Sequence, residues 1–183
     1  MRKLLEYWRV LMELKFRKLK ENEIDARVQS ATAKGCILLL YKDARCDMRL
    51  LDETVGPMNW QKEYLRDNCN CKVSIWDSDK EQWISKEDTG TESNTEKEKG
   101  LASDSFKRAC FNWGIGRELY TSPFIWVPAD KCNLVSKGNN KYTCNDKFEV
   151  EKITYDSNGN IDGLSIINKN KKVRAFVQKP TNK

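Results

Sequence analysis

The 183-residue sequence contains no histidine. Histidine is the most common general base, so a Ser-His or Cys-His nucleophile cannot form within this chain. The phosphate-binding pattern Gly-x4-Gly-Lys-[Ser/Thr] is also absent, and the short Gly114-Ile115-Gly116 follows a predicted helix rather than a strand. The sequence therefore favours neither a nucleotide-driven motor nor a dinucleotide-binding enzyme.

Long apolar segments are missing as well. No apolar run approaches the ~20 residues that span a bilayer. The first twenty residues carry charges every few positions and no small-residue cleavage site of a secretory signal. The seven cysteines are an odd number, which is a poor basis for a disulfide framework. We predict a cytoplasmic protein with reduced thiols and no membrane partner.

The cysteines have few of the features of a metal site. Cys69 and Cys71 form a Cys-x-Cys pair, while Cys132 and Cys144 stand far apart in a polar segment. Structural zinc sites use four ligands, which commonly lie in close pairs. Small buried thiols are the expected role, with zinc as a minor alternative. We predict no metal site, no catalytic residue and no cofactor.

The charge is mildly basic. Lysine and arginine number 33 against 27 aspartates and glutamates, a net charge of +6. This balance suits a nucleic acid or another anionic partner without requiring one.

The first half of the chain predicts two helices and one strand. Residues 3–20 have helical apolar spacing, and residues 35–41 form a short apolar run typical of a buried strand. The next segment predicts a helix that ends at Gly56-Pro57. Its apolar face consists of Ala44, Met48, Leu51 and Val55.

The centre of the chain predicts a β-hairpin followed by a helix. Residues 71–77 and 81–88 alternate in polarity around a short turn. Thr95 and Glu98 have the spacing of a capping box at the start of the helix. The helix is expected to end at Gly114 or Gly116. Its apolar stripe consists of Ala102, Phe106, Ala109 and Trp113.

The C-terminal part predicts strands and loops. Residues 123–128 form a strand, residues 129–147 a long polar loop, and the remainder a β-meander with a tight turn at Asn158-Gly159. Ile153, Leu164, Ile166 and Val173 are expected to be buried. The fold class is α+β: an antiparallel hairpin sheet packed on a long basic helix. We predict a core over residues 1–128, with residues 129–183 as part of the same domain.

The predicted central helix places cations beside aromatic residues. Lys107 and Arg108 are adjacent and lie off the apolar stripe, and Lys99 and Arg117 flank them. A solvated helix face explains a two-residue cluster equally well, whereas a row of cations could follow a phosphate backbone.

A metal-dependent nuclease is an alternative. Asp88, Glu96 and Glu98 are acidic and lie near the basic helix in sequence. However, the only acidic-x-Lys triplet that resembles a nuclease motif, at residues 13–15, falls on a predicted helix. The acidic residues before the helix also suit a helix N-terminus.

Two long motifs resemble a known family. They are YKDARCDMRLLDETVGPMNWQ (41–61) and GLASDSFKRACFNWGIGRELYTSPFIWV (100–127). In this order they resemble the Rad-fifty-two/Rad-twenty-two family of single-strand DNA-annealing proteins, in its bacteriophage and prophage branch. The resemblance covers roughly residues 22–127.

The resemblance implies a ring-forming protomer that anneals single-stranded DNA without ATP, in phage recombination and repair. It matches Lys107 and Arg108 to the DNA-backbone pair of the basic helix, with Arg45 or Arg49 as the arginine of the first helix. It also implies partners: single-stranded DNA, other copies of the chain, and a single-strand-binding protein or exonuclease. The host would be a bacterial cell. A nuclease, or an interaction domain that shares only the fold, stays an alternative.

Overall fold

The computed structural model describes residues 14–91 and 97–181, and side chains over 14–91 and 100–181. These residues form an α+β protein with two α-helices and mostly antiparallel strands. The helices are α1 (Ala44–Val55) and α2 (Lys97–Asn112). The strands are β1 (Asp25–Thr32), β2 (Gly35–Tyr41), β3 (Trp60–Leu65), β4 (Asn70–Asp77), β5 (Gln82–Thr89), β6 (Ile125–Pro128), β7 (Leu134–Ser136), β8 (Tyr142–Cys144), β9 (Phe148–Tyr155), β10 (Ile161–Asn168) and β11 (Val173–Gln178). Neither described helix has the length and apolar character needed to cross a membrane.

The chain folds as two compact units that interleave in sequence. The first, which we call the three-stranded unit, contains Ala44–Ile115 and the described part of Met1–Arg17. The second, the six-stranded unit, combines Lys18–Asp43 with Gly116–Lys183. The sequence-based prediction is one domain with a core over residues 1–128, and it does not anticipate this interleaving.

The three-stranded unit is an antiparallel sheet in the order β3-β4-β5 with α2 packed on one side. Phe106 and Ala109 of α2 are fully buried, as is Val73 at the centre of β4. The Trp113 indole N–H donates to the Val73 carbonyl at 3.0 Å. The β4–β5 hairpin is therefore confirmed. Of the predicted stripe of α2, Phe106 and Ala109 are buried, whereas Ala102 is partly exposed and the partly exposed Trp113 lies just beyond the helix. Aromatic residues fix the helix on the sheet.

Helix α1 ends where predicted, just before Gly56-Pro57, but a different face is buried. Its buried residues are Cys46, Asp47, Leu50 and Leu51. Only Leu51 belongs to the predicted face, so that part of the prediction is wrong. Ala44, Met48 and Val55 are each partly exposed.

Helix α2 ends at Asn112, two residues before Gly114. The Ile115 N–H reaches back to the Cys110 carbonyl at 3.2 Å, and Gly114 has a φ of 103°. This left-handed turn is the usual helix stop, and glycine adopts it at no steric cost. Thr95 and its capping box lie outside the described residues.

The six-stranded unit is one antiparallel sheet in the order β11-β10-β9-β1-β2-β6. Consecutive strands β9, β10 and β11 are neighbours, and Gly159 takes a φ of 81° in the β9–β10 turn. Leu164 and Ile166 are almost completely buried. Val173 was expected to be buried but is 38% exposed, because it begins the edge strand β11.

Two further segments differ from the predictions. Residues 14–20 have no helical structure, and the remainder of the predicted first helix lies outside the described residues. Residues 129–147 are not a long loop, because they contain a 3-10 turn (Ala129–Lys131) and the small hairpin β7–β8. Cys132 and Cys144 in this segment are buried.

Candidate nucleic-acid interface

Lys107 and Arg108 lie on the outer side of α2, away from the fully buried Phe106 and Ala109. Arg108 is exposed, and its Nε lies 3.5 Å from a carboxylate oxygen of Asp88 on β5. Within the described residues, no ion pair involves Lys107. As far as the described residues show, the pair presents one cation without an acidic partner and one that is only loosely neutralised.

Two further cations border α2 on the sheet. Lys62 on β3 and Lys86 on β5 lie directly opposite Val73 on the two sides of β4. Residues opposite each other in register share a face of the sheet, so both lysines lie on the same face as the helix. Both are exposed. The helix thus crosses the sheet between two lysines.

Aromatic rings hold these two lysines in place. The Lys62 ammonium lies 4.7 Å from the centre of the Phe106 ring, and the Lys86 ammonium lies 4.5 Å from that of Trp113. Lys86 also donates to the Asn112 carbonyl at 2.8 Å. Cation–π contacts orient an ammonium group without cancelling its charge. Across the described residues, neither lysine has a carboxylate within ion-pair distance.

The positive charge of Lys62 affects a buried thiol of the same unit. Burial raises the pKa of the Cys71 thiol to about 11, and the nearby Lys62 ammonium opposes that rise. Lys62 is therefore close enough to this buried thiol to stabilise its thiolate form. Since Cys71 is buried and its pKa is raised, the thiol is uncharged at neutral pH and does not neutralise Lys62.

The opposite face of the same sheet has a different charge pattern. A cleft there is lined by Gln61, Glu63, Lys72, Ser74, Trp83 and Ser85; Lys62 also borders it, although its ammonium lies over Phe106 on the helix side. Lys72 forms an ion pair with Glu63, whose hydrogen bond raises the pKa of the Lys72 ammonium. Its cation is therefore matched by an acid. The helix side of the sheet, and not the cleft, carries the unmatched positive charge.

The remaining predicted residues are dispersed. Arg45 and Arg49 are both exposed on α1, one turn apart. Lys99 lies in the first turn of α2, and its side chain is outside the described part. Arg117 is exposed but belongs to the six-stranded unit. The three-stranded unit therefore contains Lys107, Arg108, Arg45, Arg49 and Lys99, but not Arg117.

The acidic residues do not gather into a catalytic site in the described structure. Asp88 accepts from Arg108 and from the Asn112 side chain on the helix face, whereas its neighbour Glu87 contacts Asn70. Adjacent strand residues point to opposite faces. Among the side chains described over 14–91 and 100–181, one group of three or more metal-ligating residues lies close together, and it consists of cysteines. Glu96 lies outside the described residues, as does the Glu98 side chain.

Sequence reasoning missed Lys62 and Lys86. Neither belongs to a motif, and residues 60–65 were not predicted as a strand. Their shared face depends on the register of three strands and on aromatic partners in α2 and directly after it, which are 27 to 44 positions away. The strand sequence WQKEYL does not alternate in polarity, so local pattern gave no signal.

Comparison of the chain with protein-family models, with curated proteins and with solved structures gave no match.

Proposed function

We propose that this protein binds single-stranded DNA through the helix side of its three-stranded unit and anneals complementary strands without ATP. The observation that carries the proposal is the set of cations around α2: the exposed Lys62, Lys86 and Arg108, and the partly exposed Lys107. Among the described residues, only Arg108 has an acidic partner. The resemblance of residues 22–127 to phage and prophage annealing proteins supports the same function.

Cations of this kind suit a nucleic-acid backbone. Each phosphate contact by lysine or arginine releases condensed counterions, and this release drives binding without regard to base sequence. Annealing needs a strand whose phosphates are neutralised and whose bases remain able to pair. It needs neither a nucleotide nor a covalent intermediate, and the sequence offers no motif for either.

Assembly into a ring is part of the proposal. In the described three-stranded sheet, β3 and β5 are edge strands, each with one strand neighbour. Exposed edges present unpaired backbone N–H and C=O groups that another chain can use. In the proposed ring, the basic helix lines a shared groove and the C-terminal meander belongs to each protomer. The proposed setting is phage recombination and repair in a bacterial cytoplasm.

An annealing assay tests the proposal. Two complementary labelled oligonucleotides are mixed with the protein in the absence of ATP and magnesium, and duplex formation is followed by fluorescence transfer. We expect faster duplex formation than without protein, at protein concentrations that saturate the strands. No acceleration, with the strands bound or unbound, would refute annealing.

A magnesium arm of the same assay tests the nuclease alternative. Labelled single-stranded DNA is incubated with the protein and Mg²⁺ and resolved on a denaturing gel. Intact strands are expected. Cleavage that is abolished by a chelator would establish the nuclease, and absence of any DNA binding at low salt would favour a pure interaction domain.

A further inference from the structure

Three cysteines of the six-stranded unit converge although they are far apart in sequence. Cys36 lies on β2, Cys132 follows the 3-10 turn after β6, and Cys144 is the last residue of β8. Their sulfur atoms all lie within 4.8 Å of one another, and all three residues are buried. Zinc–sulfur bonds of about 2.3 Å in a tetrahedron require sulfur atoms about 3.8 Å apart, so small movements would suffice.

The cluster lies between the base of the small β7–β8 hairpin and strand β2 of the large sheet. The hairpin β7–β8 pairs Leu134 with Cys144, so Cys132 and Cys144 stand together at its base. Apart from Cys144, the residues of these two strands are exposed or only partly buried. A short two-stranded hairpin with so little core of its own is marginally stable. A bond from its base to Cys36 on β2 would fasten it to the large sheet.

A carboxylate lies near the three thiols, although it is outside the group whose ligand atoms are all within 4.8 Å of one another. Asp146 follows Cys144 by two residues and lies beside its thiol. Asp146 is held in place by the Asn133 backbone N–H and by the Asn168 side-chain amide, both at 2.7 Å from the same oxygen. The other oxygen accepts from the Asn133 side chain at 2.9 Å and keeps a lone pair available. Hydrogen bonds that orient a carboxylate are typical of ligands in metal sites.

We propose that Cys36, Cys132 and Cys144 bind one Zn²⁺ ion that anchors the β7–β8 hairpin to the six-stranded sheet, and that Asp146 moves in to supply the fourth ligand. Three sulfurs and one carboxylate oxygen match the donor set and the four-coordinate geometry that zinc accepts in closed structural sites. The site goes beyond the proposed DNA-binding function and does not depend on it. It also departs from the sequence-based expectation of no metal, because the ligands come from three segments and not from close pairs.

Metal analysis of the full chain is the first test. The protein is produced with zinc in the medium, passed over a chelating resin and analysed by mass spectrometry of metals. About one zinc per chain is expected. In protein refolded with Co²⁺, we expect the near-ultraviolet thiolate-to-cobalt band and the visible bands of tetrahedral cobalt. Protein without retained zinc and without these bands would overturn the proposal.

Matched cysteine variants identify the ligands. Cys132→Ser and Cys144→Ser should each lose the zinc, whereas Cys71→Ser, also at a buried thiol, and Cys69→Ser should retain it. Asp146→Asn, which preserves size, should lower zinc affinity at least roughly tenfold in competition with a coloured chelator. Loss of zinc in the Cys69 or Cys71 variants with retention in the other two would assign the metal elsewhere.

Two measurements on the unchanged protein decide the matter if the variants do not fold. Peptide mapping after alkylation should find Cys36, Cys132 and Cys144 labelled only after a chelator is added. Proteolysis within residues 133–145 should accelerate under the same treatment. Rates of labelling and proteolysis that do not change when the chelator is added would contradict the zinc site. A Cys132–Cys144 disulfide in protein purified under reducing conditions would contradict it as well.

Discussion

At the scale of single residues, Phe106 links the core to the proposed interface. Its ring is fully buried, lies 6.3 Å from the Trp60 ring, and carries the Lys62 ammonium above it. One side chain therefore contributes to stability and also positions a cation. Lys107, its neighbour in sequence, makes no such packing contribution within the described structure. Substitutions at these two adjacent positions should separate the two roles.

Replacing Phe106 with alanine should destabilise the protein by about 3–5 kcal/mol, because a buried aromatic ring is lost and a cavity remains. Urea unfolding monitored by tryptophan fluorescence measures the change. Lys107→Ala is the control, and its effect should stay within about 0.5 kcal/mol, as for ordinary surface changes. Equal stabilities of the two variants would contradict the packing described for α2.

Glu151 on β9 should show a low pKa. Arg174 on β11 donates two hydrogen bonds to it, at 2.6 and 2.9 Å, and Ser165 donates a third. These bonds lower the Glu151 pKa from 4.5 to about 2. Because the folded pKa lies below the unfolded one, the associated stability is present above pH 4.5 and is lost as the pH falls toward 2.

A carboxyl titration followed by nuclear magnetic resonance measures this pKa. In Arg174→Ala the Glu151 midpoint should move up toward its ordinary value, and the corresponding acid-dependent loss of stability should disappear. The bridge lies at the surface, so its effect on stability at neutral pH is small. A midpoint near 4.5 in the unchanged protein would show that the bridge does not form.

At the scale of elements, the sequence predicted those whose periodicity is strong. Helix α1 and the β4–β5 hairpin have clear patterns and turn residues at their ends. Strand β1 was missed because five of its eight residues are polar or charged, the exceptions being Ala26, Val28 and Ala31, and only Ala26 is buried. Strands β7 and β8 have three residues each, too short for any period to show.

The candidate sites were less predictable than the elements. Lys107 and Arg108 could be selected from the helix pattern, because a helix face follows from spacing alone. Lys62 and Lys86 come together through strand register, and the three cysteines through the pairing of β2 with β6 and of β7 with β8. Such convergence depends on tertiary structure, which local patterns do not encode.

The contact between the end of β5 and helix α2 depends on Gly90. A β-carbon at this position would lie 2.6 Å from the Leu101 carbonyl oxygen and 2.6 Å from the Ser105 nitrogen. Both are backbone atoms, so Gly90→Ala should force the helix and strand apart and cost about 1–3 kcal/mol. Thermal or urea unfolding provides the measurement. An unchanged midpoint would mean that strand and helix are not in contact there.

At the scale of the whole molecule, we expect assembly. The edges of β3 and β5 can pair with another copy of the chain, and the proposed groove is shared among protomers. Light scattering coupled to size exclusion, in moderate salt with and without an oligonucleotide, should show a large homo-oligomer. A strictly monomeric protein under both conditions would argue against the ring, although not by itself against DNA binding.

The central claim is that the helix side of the three-stranded unit binds the phosphate backbone of single-stranded DNA. The most direct test compares the double variant Lys107→Ala/Arg108→Ala with a charge-matched control, Lys72→Ala/Lys80→Ala. Both control lysines are ion-paired, with Glu63 and Asp77 respectively. The two variants lose the same formal charge, so a general electrostatic effect would appear in both.

The measurement is the affinity for labelled oligo-deoxythymidine, by fluorescence anisotropy at several salt concentrations. The Lys107/Arg108 variant should bind more weakly, and its slope of log affinity against log salt should flatten by roughly 0.7 for each lost phosphate contact. The control should retain a slope close to that of the unchanged protein. If the Lys107/Arg108 variant stays folded and binds with unchanged affinity and slope, this helix does not contact DNA and its cations form an ordinary solvated face.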